Sequence, residues 1–139
     1  MDRALNFLAL GKKARLIELG EEPVGAITRT GKGYLVVVAG DASDHTWRRA
    51  KSFVAGTEQQ CIRVPFNKEE LGFVVGRTSL AIAAFTDAAM AASFIKALPD
   101  AAKHAAPLAV LEEKAAKLKQ RKDEAKAHQR NVRFGKKNK

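Results

Sequence analysis

A single cysteine, Cys61, in 139 residues excludes an internal disulfide, a thiolate zinc site and a Cys-x-x-Cys redox pair. A reducing, cytoplasmic setting is therefore expected. Long apolar runs are missing too. The longest, Tyr34 to Ala39 and Leu80 to Phe85, have six residues each, against the roughly 20 a membrane-spanning helix needs, so the reading is of a soluble protein. The N-terminal MDRALNFLALGKK has an acid at position 2 and its lysines after the apolar segment, the wrong order for a signal peptide. The one tryptophan, Trp47, could stack on a base, but it shares a helical face with Ala50 and Val54 and is expected in the core.

What the chain has in excess is positive charge, +10 in all, and it is concentrated. Between Lys114 and Lys139 eleven basic residues face only Asp123 and Glu124, a net of +9, which leaves residues 1–113 at +1. A near-neutral globule thus carries a polycationic extension, the pattern of a segment that neutralises phosphates and releases counterions. A membrane-surface helix needs a wide apolar face. After Leu118 the extension offers only Ala125, Ala127, Val132 and Phe134, so no membrane partner is expected.

The composition changes at Pro99 and Pro107, which divides the chain into an α/β domain at 1–106 and a basic extension at 107–139. Leu108, Leu111, Ala115 and Leu118 recur at helical spacing, so the extension begins as a helix with a narrow apolar seam. From His128 onward periodicity is lost and disorder is expected in isolation. Within the domain, Leu5, Leu8 and Ala9 mark a helix before Gly11, and Tyr34 to Ala39 a buried central strand. Ser43 or Asp44 caps a second helix, Cys61 to Val64 is a short strand ending at Pro65, and Asn67 with Glu70 forms a capping box. Leu71, Val74 and Val75 give that helix its inner face. Ser79 to Phe85 is another strand, and Asp87 caps a helix carrying Ala91, Phe94, Ile95 and Leu98. Alternating helices and strands predict a three-layer α/β/α sandwich around a mixed sheet.

Chemical motifs are sparse. Gly25 to Gly33 has five residues between Gly25 and Gly31 and no Ser or Thr after Lys32, so it fails as a phosphate loop. Asp41, Asp44 and His45 match no metal-ligand spacing and are read as helix caps and surface. Cys61 has no sequence-local activator. No nucleophile, base and oxyanion site assembles, so neither enzyme activity, cofactor, metal nor small-molecule substrate is expected. Gly20-Glu21-Glu22-Pro23-Val24 is different: a loop entering a helix, where backbone N–H groups can receive phosphate and carboxylates can accept from base edges. The same two glutamates equally suit the helix dipole.

The ordered blocks LALGKKARLIELGEEPV, TRTGKGYLVVVAGDASDHTWRR, CIRVP, ELGFVVGR and AIAAFTD, spanning residues 4–98, resemble the ribosomal protein L-seven-Ae / L-thirty-e family, in particular its small bacterial members. The resemblance implies an α/β/α sandwich that binds kink-turns, sharply bent RNA elements with tandem sheared G·A pairs. By position it implies RNA contacts at Gly20, Glu21, Glu22 and Val24, at Arg29 and Lys32, and at Arg77, Thr78 and Ser79. The chain departs from the family's strong binders at Pro23, where they carry a polar residue, and at Ala26, where they carry lysine.

The expectation is a monomeric, non-enzymatic RNA-binding protein. Its partner would be structured RNA, with ribosomal RNA a candidate, read by shape while the extension adds phosphate contacts. The alternative is a protein-interaction or RNA-modification accessory module that kept the fold and lost kink-turn recognition.

Overall fold

The structure, a computed structural model, describes residues 2–135, with side chains described through His128. In chain order the elements are α1 (Arg3–Ala14), β1 (Ile17–Leu19), α2 (Glu21–Arg29), β2 (Leu35–Val38), α3 (Asp44–Val54), β3 (Gln60–Arg63), α4 (Lys68–Val74), β4 (Ile82–Phe85), α5 (Ala88–Ala97), a 3-10 turn (Ala101–His104) and α6 (Ala105–Gly135). The four strands form one mixed sheet in the order β1-β4-β2-β3. β1 and β2 run antiparallel to β4, while β2 and β3 are parallel, with Val38 opposite both Ile82 and Arg63.

The two inner strands explain the layers. Every residue of β2 and of β4 is buried, which demands cover on both faces. α2 and α3 pack together on one face, and on the other the helices lie in the order α4, α1, α5, α6, completing the expected sandwich. Phe85 and Phe94 meet at its centre with ring centroids 5.0 Å apart.

Local signals place most helix starts. Asp2, Ser43 and Asp87 each accept a backbone N–H at the start of α1, α3 and α5, and Asn67 with Glu70 closes a full capping box on α4. Each cap satisfies a donor that the helix cannot.

Some expectations need correction. α1 does not stop before Gly11 but runs to Ala14, because Gly11 is buried against Met90 and Ile17. It ends instead at Arg15, in the left-handed conformation. β1 has no counterpart in the sequence reading. The last strand begins at Ile82, not Ser79, because the Leu80 N–H is taken by the Lys68 carbonyl of α4, 2.9 Å away. Residues 128–135 continue α6 rather than forming a disordered segment. They extend a helix already nucleated on the domain, and extension costs far less than nucleation. Positions 136–139 of the extension lie outside the described residues.

The expected boundary at 106/107 falls in the first turn of α6, and Leu111 beyond it is buried in the common core. Among the described residues no helix is long and apolar enough to cross a membrane.

Candidate functional site

β1 delivers the chain to Gly20, whose φ of 98° lies where side-chain-bearing residues are strained. The Gly20 N–H donates to the Ile82 carbonyl at 3.0 Å, stitching this turn to β4. α2 then starts without a side-chain cap. Its first backbone bond runs from the Val24 N–H to the Gly20 carbonyl, 3.0 Å, and Pro23 has no N–H to offer. The amides of Glu21 and Glu22 are thus the donors with no partner inside the helix. Glu21, Glu22 and Pro23 are exposed, whereas Val24 is fully buried and serves the turn as its anchor in the core.

The segment Arg77–Ser79 comes to the same end of the sheet. It lies against α4 so closely that a Cβ on Gly72 would sit 2.8 Å from the Arg77 carbonyl oxygen and the Ser79 nitrogen. The Arg77 N–H donates to the Gly72 carbonyl at 2.8 Å. Arg77 Nη1 lies 3.7 Å from the point where a Gly20 Cβ would project, so two loops almost 60 residues apart share one surface. Lys12 of α1 donates its Nζ to the Val75 carbonyl and braces the loop from behind. On α4, next to Gly72, Phe73 is 78 % exposed.

Arg29 and Lys32 are not in this cluster. They sit at the far end of α2, about 12 Å along its axis from Glu21, and both are exposed. Their loop is shaped by Gln59, which is buried: its Oε1 accepts from the Gly33 N–H at 2.8 Å and its Nε2 donates to the Thr28 carbonyl at 3.1 Å. A cavity of about 180 Å³ separates Gly31 and Tyr34 from Leu111 and Lys114 of α6.

Sequence reasoning missed Arg49. Its Nε donates to Glu21 Oε1 at 2.8 Å, and its guanidinium lies 5.2 Å from the ring centroid of Phe53. Phe53 in turn packs against Gly25 of α2. The only available signal was the i, i+4 spacing of Arg49 and Phe53; the partner 28 residues away was not legible.

Trp47 is half-buried and packs against the margin of the core, as its helical face predicts. Its ring is flanked by Arg63 at 5.0 Å and Lys51 at 5.5 Å. Arg63 Nε and Nη2 are buried with no hydrogen-bond partner among the described residues, and contact with the ring face offsets part of that cost. Beside them burial pushes the Cys61 thiol up to about 12, with Lys51 and Arg63 pulling weakly the other way, so the sulfur is a protonated packing group and no nucleophile. Asp41 accepts the Lys68 N–H at 2.8 Å and thereby supports the start of α4, while His45 is exposed. Among the described residues no three of His, Cys, Asp and Glu converge on a point.

The arrangement can therefore hold a ligand by charge and hydrogen bonding: two open helix amides, the Glu21 carboxylate tethered to Arg49, the Glu22 carboxylate with no partner among the described residues, and the guanidinium of Arg77.

No known family model and no curated protein matches the chain. Solved structures do share its fold. A protein of unknown function from Bacillus halodurans C superposes with a TM-score of 0.61 at 24 % identity, over 68 % of this chain and 98 % of that one. The Giardia lamblia 15.5kD RNA binding protein superposes with a TM-score of 0.50 at 19 % identity, over 67 % of this chain and 82 % of its own.

Proposed function

We propose that this chain is a non-enzymatic RNA-binding protein that recognises a sharply bent, kink-turn-like RNA, in the setting of the ribosome or translation, through the surface formed by Gly20–Glu22 and Arg77–Ser79. The observation that carries the reading is the placement of the Arg77 guanidinium over the Gly20 turn, 3.7 Å from where a Gly20 Cβ would project. A guanidinium beside an uncapped helix start offers phosphate two kinds of donor, and the exposed Glu22 carboxylate offers an acceptor for base amino groups. Bent RNA brings phosphates and unstacked base edges within one such small surface. That a protein of similar fold, from Giardia lamblia, is RNA-binding supports the same class of ligand. Arg29 and Lys32 then contact the RNA arm that follows α2, as the resemblance implies.

The test is a titration of the full chain and of Arg77→Ala against a kink-turn RNA and a control with its sheared G·A pairs destroyed, at two salt concentrations. The expected result is a preference for the intact kink-turn that falls by about tenfold in the variant, a loss typical of one guanidinium contact. Equal binding of both RNAs by the unaltered protein would overturn kink-turn recognition.

A protein-interaction module is the second reading. Pro23 and Ala26 remove polar groups from the exposed start of α2, and Phe73, 78 % exposed, is a large apolar anchor beside the same loop.

A further inference from the structure

α6 leaves the domain partway along its length. Among its described side chains Leu111 is the last that is buried, Lys114, Ala115 and Leu118 are half-buried, and every residue from Lys119 through His128 is exposed. The helix continues to Gly135, so about 25 Å of it projects past Leu118. It departs from the end of the sheet that holds Arg29 and Lys32: Lys114 lies 3.6 Å from Glu58, and Lys119 and Lys122 border a hollow against Asp87 and Ala88 at the start of α5.

The projecting part has an ordered charge pattern. Lys119, Lys122 and Lys126 follow at spacings of three and four, which puts them in one row on the helix. The sequence keeps that spacing at Arg130 and Arg133. Acidic neighbours cancel it only in part. Glu113 pairs with Lys117 at 3.1 Å and Glu124 accepts from Gln120 at 3.1 Å. Lys119, Lys122 and Lys126 make no ion pair within 4.0 Å among the described residues, although Asp123 lies one helical turn from both Lys119 and Lys126. Like charges one turn apart repel, and no apolar stripe on this stretch compensates by packing. Such a helix is built to be neutralised from outside.

We infer that the projecting half of α6 is a phosphate-backbone arm, lying along an RNA duplex that adjoins the element held at the Gly20–Arg77 surface. The choice of RNA rests on the proposed function; the choice of a phosphate backbone rests on the charge row. Lysines one helical turn apart match successive phosphates, and point charges of this kind fix position without reading sequence. Neutralisation relieves the repulsion, so binding also firms the helix.

The experiment compares the full chain with K119Q/K122Q/K126Q, all exposed positions, on a kink-turn RNA with a long flanking duplex, a straight RNA duplex and a DNA duplex of the same sequence. Affinity is read across a salt series, and amide exchange is followed at residues 119–128. The expected result is a salt slope lower by about 2 to 3, at roughly 0.9 per phosphate contact, with an unchanged preference for the kinked RNA and added exchange protection in the unaltered chain on RNA. An unchanged slope and unchanged protection would sink the arm. DNA bound as tightly as RNA would refute the RNA assignment. If the kinked and straight RNAs bind equally while the slope still falls, the Gly20–Arg77 reading has failed and the arm stands.

Discussion

Arg49 on α3 grips Glu21 at the first turn of α2, Nε to Oε1 2.8 Å, while its guanidinium rests on Phe53. One of the two exposed glutamates at the candidate interface is thereby tethered, and Glu22 is the carboxylate left to meet a ligand. Because the pair is solvent-exposed, its contribution to stability is small, below about 1 kcal/mol. Arg49→Ala is expected to leave thermal stability nearly unchanged and to weaken RNA binding several-fold, since an unpartnered Glu21 then repels phosphate. Parallel melting and binding curves check this. A large drop in stability with unaltered binding would show that the pair serves the fold alone.

Gly72 sets the height of the Arg77–Ser79 loop over α4. An added methyl would meet backbone atoms at 2.8 Å, and backbone cannot rotate away as a side chain does. Gly72→Ala is expected to cost about 1–3 kcal/mol and to shift amide resonances of Arg77 to Leu80 before any others. Chemical denaturation with an NMR fingerprint of the folded variant measures both effects.

Gln59 gives a second structural test, at the far end of α2. Its truncation to Ala leaves the Gly33 N–H and the Thr28 carbonyl without their partner, a loss of about 1–3 kcal/mol for buried groups. Faster amide exchange at Gly33 is the direct readout, and unchanged exchange would count against the assigned role.

The Cys61 thiol supplies a pH dependence with a definite sign. Its folded value, about 12, lies above the ordinary 9.0, so the folded state holds the proton more tightly than the unfolded one. The associated stability is complete below about pH 9 and is lost as pH rises from there toward 12. Cys61→Ala should flatten the stability profile in that alkaline range. At pH 8 the native thiol should react with an alkylating reagent at least tenfold more slowly than a free cysteine; rapid alkylation without unfolding would contradict it.

The strongly patterned parts of the fold could be seen in the chain itself. β2 is a β-branched run between glycines, the Asn67–Glu70 box is local chemistry, and Ala91, Phe94, Ile95 and Leu98 form a stripe that is wholly buried. β1 escaped because three residues are too few to display alternation; it is a strand only through its pairing with β4. The same limit applies to the interface. Gly20 and Arg77 were legible as separate candidates, but their adjacency depends on β1 lying next to β4, a long-range pairing that no local pattern encodes. Helical periodicity places Trp47 on the core-facing side of α3, where it packs at the margin, but does not reveal that Lys51 and Arg63 flank its ring.

The turn at Gly20 is bonded to Ile82, and the loop from Arg77 is fastened to α4 through Gly72 and Lys68. Both walls of the candidate interface are therefore fixed to the central scaffold, which would spare the protein the entropy of ordering a floppy loop on association. A ligand that enters must itself supply the change of shape. On the proposed function, such a surface would reward RNA already poised to bend and penalise RNA that must be forced, so that discrimination would reside as much in the RNA's own stiffness as in any contact it makes.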